Sequence, residues 1–484
     1  MSAPTSRSQE SRFETDLRAQ FTYEPTEGQD RLIRFLTKFM FSEKPNPTLV
    51  IRGYAGTGKT TMTGALVKVL RQMRRKVVLM APTGRAAKVL SSYAEYPAAT
   101  IHRTIYTKNA DNAGVSFSLA TNTRKNTVFM VDEASMIGEG GGIETEGFGE
   151  PRDLLDDLMT YVFSGDECRL ILIGDTAQLP PVGSDDSPAL RWQELASRYY
   201  LTAAEVELKE VVRQELDSGI LFNANTLRLQ LAMNGSGFPQ LSIDSFSDIK
   251  RIDGTELPEV FDVLQSRYTE QGVIIITRSN KRANQFNQHI RQRIFYREEE
   301  ISGGDLLMVV KNNYFWLEGF KEAPTDFIAN GDTLQVQRVI RYQERYGLRF
   351  ADVEVQMLDY PAFPSFEVKV LLDALMVEQA NLGFDRMKRF YDLVAADYLH
   401  LGFKRAVAQA VRKDPFYNAL QVKYAYAVTC HKSQGGQWPA VIVDQGYLTE
   451  DMLDASLLRW FYTAFTRARR ELWLLNFSDS FFGG

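Results

Sequence analysis

The sequence predicts an α/β protein with two parallel-sheet domains, of which the second is split by an inserted, mostly β domain. Between residues 21 and 204, short apolar runs alternate with helical stretches. Continuous apolar runs of this kind are typical of strands that are buried on both faces of a parallel sheet. The runs lie at residues 49–51, 77–80, 128–131 and 170–173. This segment therefore forms a first α/β domain.

The same pattern returns in two separated segments, 205–302 and 421–484, with apolar runs at 273–276, 440–443 and 472–475. The segment between them, 303–420, differs because its strand-like runs are punctuated by Gly and Asn and are followed by a helical stretch from 385 to 412. We therefore expect 303–420 to be a subdomain inserted into the second α/β domain.

Bulk properties exclude several classes of protein. The chain has 484 residues, a net charge of −5 and a pI of about 5.7, which argues against a wholly basic nucleic-acid binder but allows a local basic groove. Cys168 and Cys430 lie in apolar surroundings and are interpreted as core thiols in a reducing, cytoplasmic compartment. No apolar run approaches the roughly 18 residues of a membrane span. Residues 1–20 are polar and are expected to be a disordered tail.

Residues 53–60 carry the most specific local signal, because they match the phosphate-binding pattern G-x-x-x-x-G-K-[ST] as GYAGTGKT. The glycines let backbone N–H groups face phosphate oxygens, Lys59 reaches the outer phosphates, and the Thr60 hydroxyl suits Mg²⁺. A chance glycine-rich turn is the alternative. It is disfavoured because an apolar strand precedes the loop and a helical stretch follows it, which aims the helix N-terminus at the phosphates.

Two further strand ends carry polar residues suited to nucleotide hydrolysis. Asp132 and Glu133 follow the apolar run 128–131, where one carboxylate can hold a metal through water and the other can polarise the attacking water. Gln178 follows the run 170–173 and could orient water or sense the γ-phosphate. Each also has a simpler interpretation, as a capping carboxylate or an ordinary β-turn.

Eight motifs follow one another along the chain and carry a resemblance to a known family. They are GYAGTGKTT (53–61), APTGRAAK (81–88), TIH (100–102), VDEAS (131–135), GDTAQLPPV (174–182), VVRQ (211–214), TCHKSQGGQW (429–438) and YTAFTRAR (462–469). Together they resemble the superfamily 1 DNA helicases of the RecD-like and Dda-like branch, to which the Pif-type helicases are related. The resemblance spans about residues 21–476 and implies two RecA-like motor domains.

The resemblance implies a site for ATP and Mg²⁺ between the two motor domains. Gln29 matches a glutamine that reads the adenine edge, Arg213 an arginine that contacts the γ-phosphate, and Arg467 an arginine finger. The implied catalytic residues are Lys59, Thr60, Asp132, Glu133, Gln178, Arg213 and Arg467. The implied nucleotide-binding residues are Gln29, Gly53, Ala55, Gly56, Thr57, Gly58, Lys59, Thr60, Thr61 and Gly435. Thr60 and Asp132 would hold the metal.

Other motif residues match the strand-binding face of the family. They are Pro82, Thr83, Arg85, Thr100, His102, Asn280, Thr429, His431, Lys432 and Ser433. Hydroxyl and lysine contacts of this kind bind phosphates and carry little sequence information. Residues 107–124 occupy the place of a strand-separating β-hairpin pin, with Phe117 as the candidate for stacking on a base at the fork. Packing of Phe117 on the domain surface is the alternative.

Two segments between the motifs are distinctive. Residues 138–150 are rich in Gly and Glu and are expected to form a flexible loop. The insertion 303–420 resembles the SH3-like subdomain of this helicase branch. Its helical stretch contains Lys388, Arg389, Lys404, Arg405, Arg412 and Lys413, which could form a basic face or an ordinary solvated surface.

The resulting hypothesis is a monomeric ATP-dependent DNA helicase that moves 5′→3′ on single-stranded DNA and acts on forked or tailed duplexes. Three alternatives remain at this point: a P-loop kinase or nucleotide switch, a translocase that displaces proteins without separating strands, and an RNA-directed helicase. The polarity is implied by the resemblance alone, and the residues do not distinguish DNA from RNA.

Overall fold

The computed structural model describes residues 6–21, 23–111, 114–139, 152–211, 217–233, 237–320, 322–325, 327–379 and 382–482. The helices in these ranges are α1 Ser6–Arg18, α2 Glu27–Met40, α3 Lys59–Gln72, α4 Gly84–Ala94, α5 Ile101–Ile105, α6 Leu154–Phe163, α7 Trp192–Tyr199, α8 Gly219–Ala232, α9 Leu257–Tyr268, α10 Asn280–His289, α11 Asp373–Met376, α12 Phe384–Asp397, α13 Lys404–Arg412, α14 Cys430–Ser433 and α15 Ala455–Phe465. The strands are β1 Pro47–Gly53, β2 Lys76–Ala81, β3 Ala98–Thr100, β4 Tyr106–Asp111, β5 Gly114–Leu119, β6 Thr127–Val131, β7 Arg169–Gly174, β8 Thr202–Leu208, β9 Ile249–Ile252, β10 Val273–Thr277, β11 Leu306–Val309, β12 Thr333–Arg345, β13 Leu348–Met357, β14 Phe366–Leu371, β15 Leu420–Tyr424, β16 Ala427–Thr429, β17 Trp438–Asp444 and β18 Ala468–Leu475.

The first α/β domain is built on a parallel sheet of six strands in the order β3-β2-β6-β7-β1-β8. Its central strands β1, β6 and β7 are buried almost throughout, as their apolar sequences require. The order changes direction around β1, so the ends of β1, β6 and β7 form the crevice in which α/β sheets bind their ligands. The predicted parallel-sheet domain is confirmed.

The second α/β domain has a parallel sheet of five strands in the order β16-β10-β17-β18-β9. Strands from both predicted segments build this one sheet, because β9 and β10 precede the insertion and β16 to β18 follow it. The split of the second domain around an insertion is confirmed.

The insertion is a closed barrel of strands β11 to β15, with α11 to α13 inserted between β14 and β15. Helices α12 and α13 bury Phe390, Val394, Val407 and Val411 in a core shared with Phe350 of the barrel. The helical stretch is therefore part of the subdomain and rests on one side of the barrel.

Two of the expected domain boundaries move by a few residues. Strand β8 begins before position 205 and pairs with β1, so the first domain extends to Leu208. Because Glu205 and Glu207 interrupt its sequence, this edge strand does not form a continuous apolar run and was not predicted. Strand β15 closes the barrel by pairing with β11 and β14, so the insertion ends at Tyr424 instead of 420.

The expectation of a disordered tail at residues 1–20 is wrong for residues 6–18, which form helix α1. Phe13 and Leu17 of this helix are fully buried in the core of the first domain, and Phe13 meets Phe41 edge to face. Most residues of α1 are polar or charged, so its sequence does not predict a buried helix. Only a narrow stripe of the helix surface, at Phe13 and Leu17, is buried.

Strands β4 and β5 form a two-stranded antiparallel hairpin at the place expected for the pin, although its strands span 106–119 and not 107–124. Cys168 and Cys430 are buried free thiols. Within the described ranges, none of the helices combines the length and the hydropathy needed to cross a bilayer. The predicted loop 138–150 lies almost wholly outside the described residues.

The packing of helix α1 gives a test of its structural role. Substitution Phe13→Ala removes a fully buried ring and should lower the free energy of unfolding by about 3–5 kcal/mol. Phe35→Ala on α2, where the ring is 38% exposed, serves as the matched control and should cost about 1 kcal/mol. Urea unfolding measures both, and equal effects of the two substitutions would contradict the packing of α1.

Candidate functional site: a nucleotide cleft between two motor-type domains

The phosphate-binding loop, residues 53–60, connects β1 to the N-terminus of α3. Gly56 and Gly58 have φ angles of 73° and 81°, which other residues adopt only with strain. A side chain at Gly53 would come within 2.9 Å of Thr57 Oγ1 and 3.0 Å of Lys59 Cγ. The loop therefore needs its three glycines. The Lys59 ammonium donates to the carbonyl oxygens of Gly53 at 2.5 Å and Tyr54 at 2.9 Å.

Thr60 and Thr61 begin the first turn of α3, and both side chains are exposed. Thr57 is instead 1% exposed and donates its hydroxyl to the Tyr54 carbonyl at 2.8 Å, which braces the loop. Of the loop threonines, Thr60 and Thr61 therefore offer hydroxyls to a ligand.

The Gln29 side chain contacts other protein groups, whereas the resemblance implies that it reads the adenine edge. Its side-chain amide donates to the Thr57 carbonyl at 3.1 Å, and its oxygen accepts from the Thr26 N–H at 3.1 Å in a capping box. In this arrangement Gln29 fixes the phosphate-binding loop to α2. A contact with adenine stays a prediction.

Asp132 and Glu133 stand at the end of β6, next to the phosphate-binding loop. Asp132 accepts hydrogen bonds from the Tyr93 hydroxyl and from the Glu133 N–H, the latter at 2.9 Å. Glu133 has a φ of 52°, a strained conformation for a non-glycine residue that is common at functional sites. Burial raises the pKa of both carboxyls, and the Lys59 charge lowers both. These shifts show that Lys59 and the two carboxylates share one low-dielectric site.

The loop after β7 adds Asp175 and Gln178 to this site. Asp175 is 1% exposed, and its Oδ2 lies 3.8 Å from Lys59 Nζ. The Gln178 side-chain oxygen is buried and has no hydrogen-bond partner within the described residues. Such an acceptor can be satisfied by a donor such as a water molecule in the cleft.

Arg467 reaches the site from the second domain. It is 3% exposed, and its guanidinium donates to the Thr463 carbonyl at 3.0 Å, the Gly436 carbonyl at 3.3 Å and Thr466 Oγ1 at 3.1 Å. Its charge is the main influence that lowers the pKa of Glu133. The structure therefore brings Arg467 together with the carboxylates of the first domain. Arg213 lies outside the described residues.

Other residues of the second domain form hydrogen bonds with the first domain around the cleft. The Tyr462 hydroxyl donates to Asp175 Oδ2 and accepts from the Ala55 N–H, both at 2.7 Å. Thr463 Oγ1 accepts from the Leu179 N–H at 2.8 Å, and the Gln434 amide donates to the Leu179 carbonyl at 2.7 Å. Sequence reasoning missed these contacts, although Tyr462, Thr463 and Gln434 all lie within the recognised motifs.

Gly435 lies at the interface between the domains, beside helix α4. Its φ is 72°, and an added Cβ would come within 2.8 Å of Ala86 Cβ and 3.1 Å of Thr83 Oγ1. Close approach of the two domains thus requires glycine here. Since these neighbours belong to α4 and not to the phosphate-binding loop, a nucleotide contact of Gly435 stays a prediction.

The predicted strand-contact threonines of the first domain stand at helix N-termini. Thr83 and Thr100 accept hydrogen bonds at 3.2 Å from the Ala86 and Arg103 N–H groups and cap α4 and α5. Pro82 precedes Thr83 and is partly exposed. Helix N-termini favour phosphate groups, so this placement suits a nucleic-acid backbone.

His102 and Arg85 are partly exposed, and burial of part of each side chain changes its pKa. Burial lowers the pKa of His102 to about 4, so this imidazole is neutral at pH 7. The Arg85 guanidinium stacks on Trp438 of the second domain at 4.5 Å, and burial lowers its pKa. The structure assigns Arg85 a contact between the domains, and its contact with a strand stays a prediction.

In the second domain the predicted strand-contact residues divide into two groups. Asn280, Thr429 and Lys432 are partly exposed and His431 is exposed, as a contact surface requires. Burial lowers the pKa values of His431 and Lys432. The side chain of Ser433 is instead fully buried, and its hydroxyl donates to the Cys430 carbonyl at 2.7 Å, so a contact of this hydroxyl with a strand stays a prediction. The sequence of a motif does not show whether a short polar side chain, such as that of Ser433, faces solvent or the core.

Phe117 lies on β5 opposite Lys108 of β4. Its side chain falls outside the described part of the structure, so its stacking role stays a prediction.

Comparisons with known proteins agree with this arrangement. Residues 27–232 match the model of an AAA domain, and residues 424–475 match that of a UvrD-like helicase C-terminal domain. The chain is 30% identical over 179 residues to the ATP-dependent RecD2 DNA helicase of Deinococcus radiodurans, an alignment that covers 37% of this chain and 21% of that one. It is 23% identical over 297 residues to the ATP-dependent DNA helicase dda of Enterobacteria phage T4, with coverage of 59% and 60%.

Both family models and both helicase relatives agree with the resemblance of the motifs to the superfamily 1 helicases of the RecD-like and Dda-like branch. These alignments span less than two thirds of the length of the two named helicases. Among solved structures the chain is similar to the Pif1 helicase from Bacteroides in complex with ADP-AlF3 and ssDNA, with 14% identity, a TM-score of 0.47 and coverage of 96% and 95%.

The raised pKa of Glu133 gives a test of its predicted role in ATP hydrolysis. In that role Glu133 must be ionised to accept a proton from water, so kcat should fall as the pH drops through a pKa above the ordinary value of 4.5. Substitution Arg467→Gln removes the charge that lowers this pKa, so the acid limb should move to higher pH while kcat falls about a thousandfold. Single-turnover ATP hydrolysis across pH, with circular dichroism as the folding control, measures both. Identical acid limbs in the two proteins would contradict the pairing of Arg467 with Glu133.

Proposed function

We propose that the chain is an ATP-dependent DNA helicase that moves 5′→3′ along single-stranded DNA and separates the strands of a duplex. The observation that carries the proposal is the cleft in which Lys59, Glu133 and Asp175 of one motor domain meet Arg467 and Tyr462 of the other. Hydrolysis in such a cleft changes the relation of the two domains, and that change can be used to step along a strand. The 5′→3′ direction rests on the family resemblance.

In the proposed reaction, three charged residues of the cleft act on the phosphates or on the attacking water. Lys59 neutralises charge on the outer phosphates, Glu133 accepts a hydrogen bond from the attacking water, and Arg467 stabilises the charge that builds on the transferred phosphoryl group. Mg²⁺ bound with ATP would supply further neutralisation, and the Thr60 hydroxyl and the Asp132 carboxylate are the hard oxygen donors that would hold it. Burial of the cleft strengthens each of these electrostatic interactions.

The residues proposed to bind DNA run across both motor domains. The capped N-termini of α4 and α5 suit backbone phosphates of one stretch of strand, and the partly exposed Asn280, Thr429 and Lys432 suit the next. Gly435 joins these two regions, because it packs directly against the N-terminal turn of α4. The hairpin β4–β5 would act as the pin that divides the strands.

The proposal is tested with two partial duplexes, one with a 5′ single-stranded tail and one with a 3′ tail, in the presence of ATP and Mg²⁺. We expect unwinding of the 5′-tailed substrate only, and loss of unwinding and of DNA-stimulated ATPase by at least a hundredfold in Lys59→Ala, because the outer phosphates lose their cation. Lys68→Ala, which changes an exposed lysine on the same helix, is the matched control and should behave as the unsubstituted protein.

The other outcomes identify the alternatives. Opening of the 3′-tailed substrate alone would contradict the polarity but keep the motor. ATP hydrolysis that DNA stimulates without opening either substrate would favour a translocase, and hydrolysis without any stimulation would favour a nucleotide switch. Stimulation by RNA and not by DNA would favour an RNA-directed helicase.

A further inference from the structure

Tyr462 occupies a position in the cleft that its motif does not explain. Its side chain is 1% exposed, and it reaches from α15 of the second domain into the phosphate-binding loop of the first. The hydroxyl donates to Asp175 Oδ2 and accepts from the Ala55 N–H, both at 2.7 Å. Burial and the neighbouring Asp175 raise the pKa of Tyr462, so the phenol stays neutral and can donate and accept at once.

The Ala55 N–H is one of the backbone donors of a loop whose N–H groups cradle phosphate oxygens. A phosphate oxygen and the Tyr462 hydroxyl are both acceptors, and one N–H makes one good hydrogen bond at a time. The Tyr462 hydroxyl also lies at the end of the loop that serves the outer phosphates, because its partner Asp175 is 3.8 Å from the Lys59 ammonium.

We propose that the Tyr462 hydroxyl is a positioning group that competes with the terminal phosphate of ATP for the Ala55 N–H, so that ATP binding and the Tyr462–Ala55 hydrogen bond between the two motor domains are mutually exclusive. This inference rests on the proposed function only in taking ATP as the ligand. Binding of the terminal phosphate displaces the hydroxyl from the loop, while the Asp175 hydrogen bond can still hold the ring in the cleft. Tyr462 thereby links occupancy of the loop to the position of α15.

The link continues along α15 to the rest of the cleft. The next residue, Thr463, accepts a hydrogen bond from the Leu179 N–H, and its carbonyl accepts one from Arg467, which lies just beyond the end of α15 and influences Glu133. A displacement of Tyr462 therefore acts on the helix that leads directly into Arg467. Binding of the terminal phosphate can therefore change the position of Arg467, the residue proposed to stabilise phosphoryl transfer.

The test is the substitution Tyr462→Phe in the full chain, which deletes only the hydroxyl and leaves the ring in its packed position. In the unsubstituted protein a triphosphate must break the Tyr462–Ala55 hydrogen bond, and in the variant it has no such bond to break. We expect the Kd of a fluorescent non-hydrolysable ATP analogue to fall by about 2- to 10-fold, the worth of one net hydrogen bond. The Kd of fluorescent ADP, which lacks the terminal phosphate, should change by less than about twofold.

The chain offers a closely matched control in Tyr426→Phe. Tyr426 is also fully buried, and its hydroxyl likewise accepts from a backbone N–H, that of Leu306, and donates to a carboxylate, Asp305, while also accepting from the Arg297 guanidinium at 2.6 Å. This tyrosine lies at the junction with the barrel and away from the phosphate-binding loop. Its substitution should lower the melting temperature to a similar extent and leave both nucleotide Kd values unchanged.

An unchanged or raised Kd for the ATP analogue in Tyr462→Phe would overturn the inference, and so would equal changes for the ATP analogue and ADP. A shift that Tyr426→Phe reproduces would also overturn it, because a general loosening of the fold would then explain it. The binding assay needs no DNA, so a failure of the tailed-duplex test would leave this result standing, and the reverse is equally true.

Discussion

The arrangement of the cleft depends on the hydrogen bonds that the second motor domain makes with the loop after β7. Both backbone groups of Leu179 are held by side chains of the other domain, and the Asp175 carboxylate accepts the Tyr462 hydroxyl. These are buried hydrogen bonds, and losing one partner would leave the other unsatisfied at a cost of about 1–3 kcal/mol each. The domains are therefore held in one specific relation, which places Arg467 near Glu133 and Gly435 against α4.

The electrostatics of the cleft follow from that closure. Asp132, Glu133 and Asp175 lie near the cations Lys59 and Arg467 in a largely buried cleft. Burial disfavours the ionised carboxyls, and the two cations partly offset this effect. An environment of this kind makes each charge more effective at a reacting phosphoryl group than the same charge would be in water. The hydrogen bonds that join the domains thus also bring together the charged residues of the cleft.

Sequence reasoning predicted the features that are encoded locally. The loop 53–60, the strand ends at Asp132 and Gln178 and the split second sheet each follow from residues that lie close together in the chain. Features that depend on distant partners were missed or misjudged. Helix α1 is stabilised by a narrow stripe at Phe13 and Leu17, and the orientation of Ser433 is set by the tight turn after β16, so neither is visible in a local pattern. The contacts of Tyr462 and Gln434 cross between domains and needed the folded chain.

In the proposed helicase, the hydrogen bonds to Leu179 couple the nucleotide cleft to the residues proposed to bind DNA, and the ratio of ATPase rates with and without single-stranded DNA measures this coupling most directly. In Thr463→Val the Leu179 N–H loses its acceptor, and we predict that the ratio falls several-fold towards unity. Thr226→Val, which removes a hydroxyl bonded only within its own helix α8, is the control and should keep the ratio. An unchanged ratio in Thr463→Val, with its fold intact, would contradict the account.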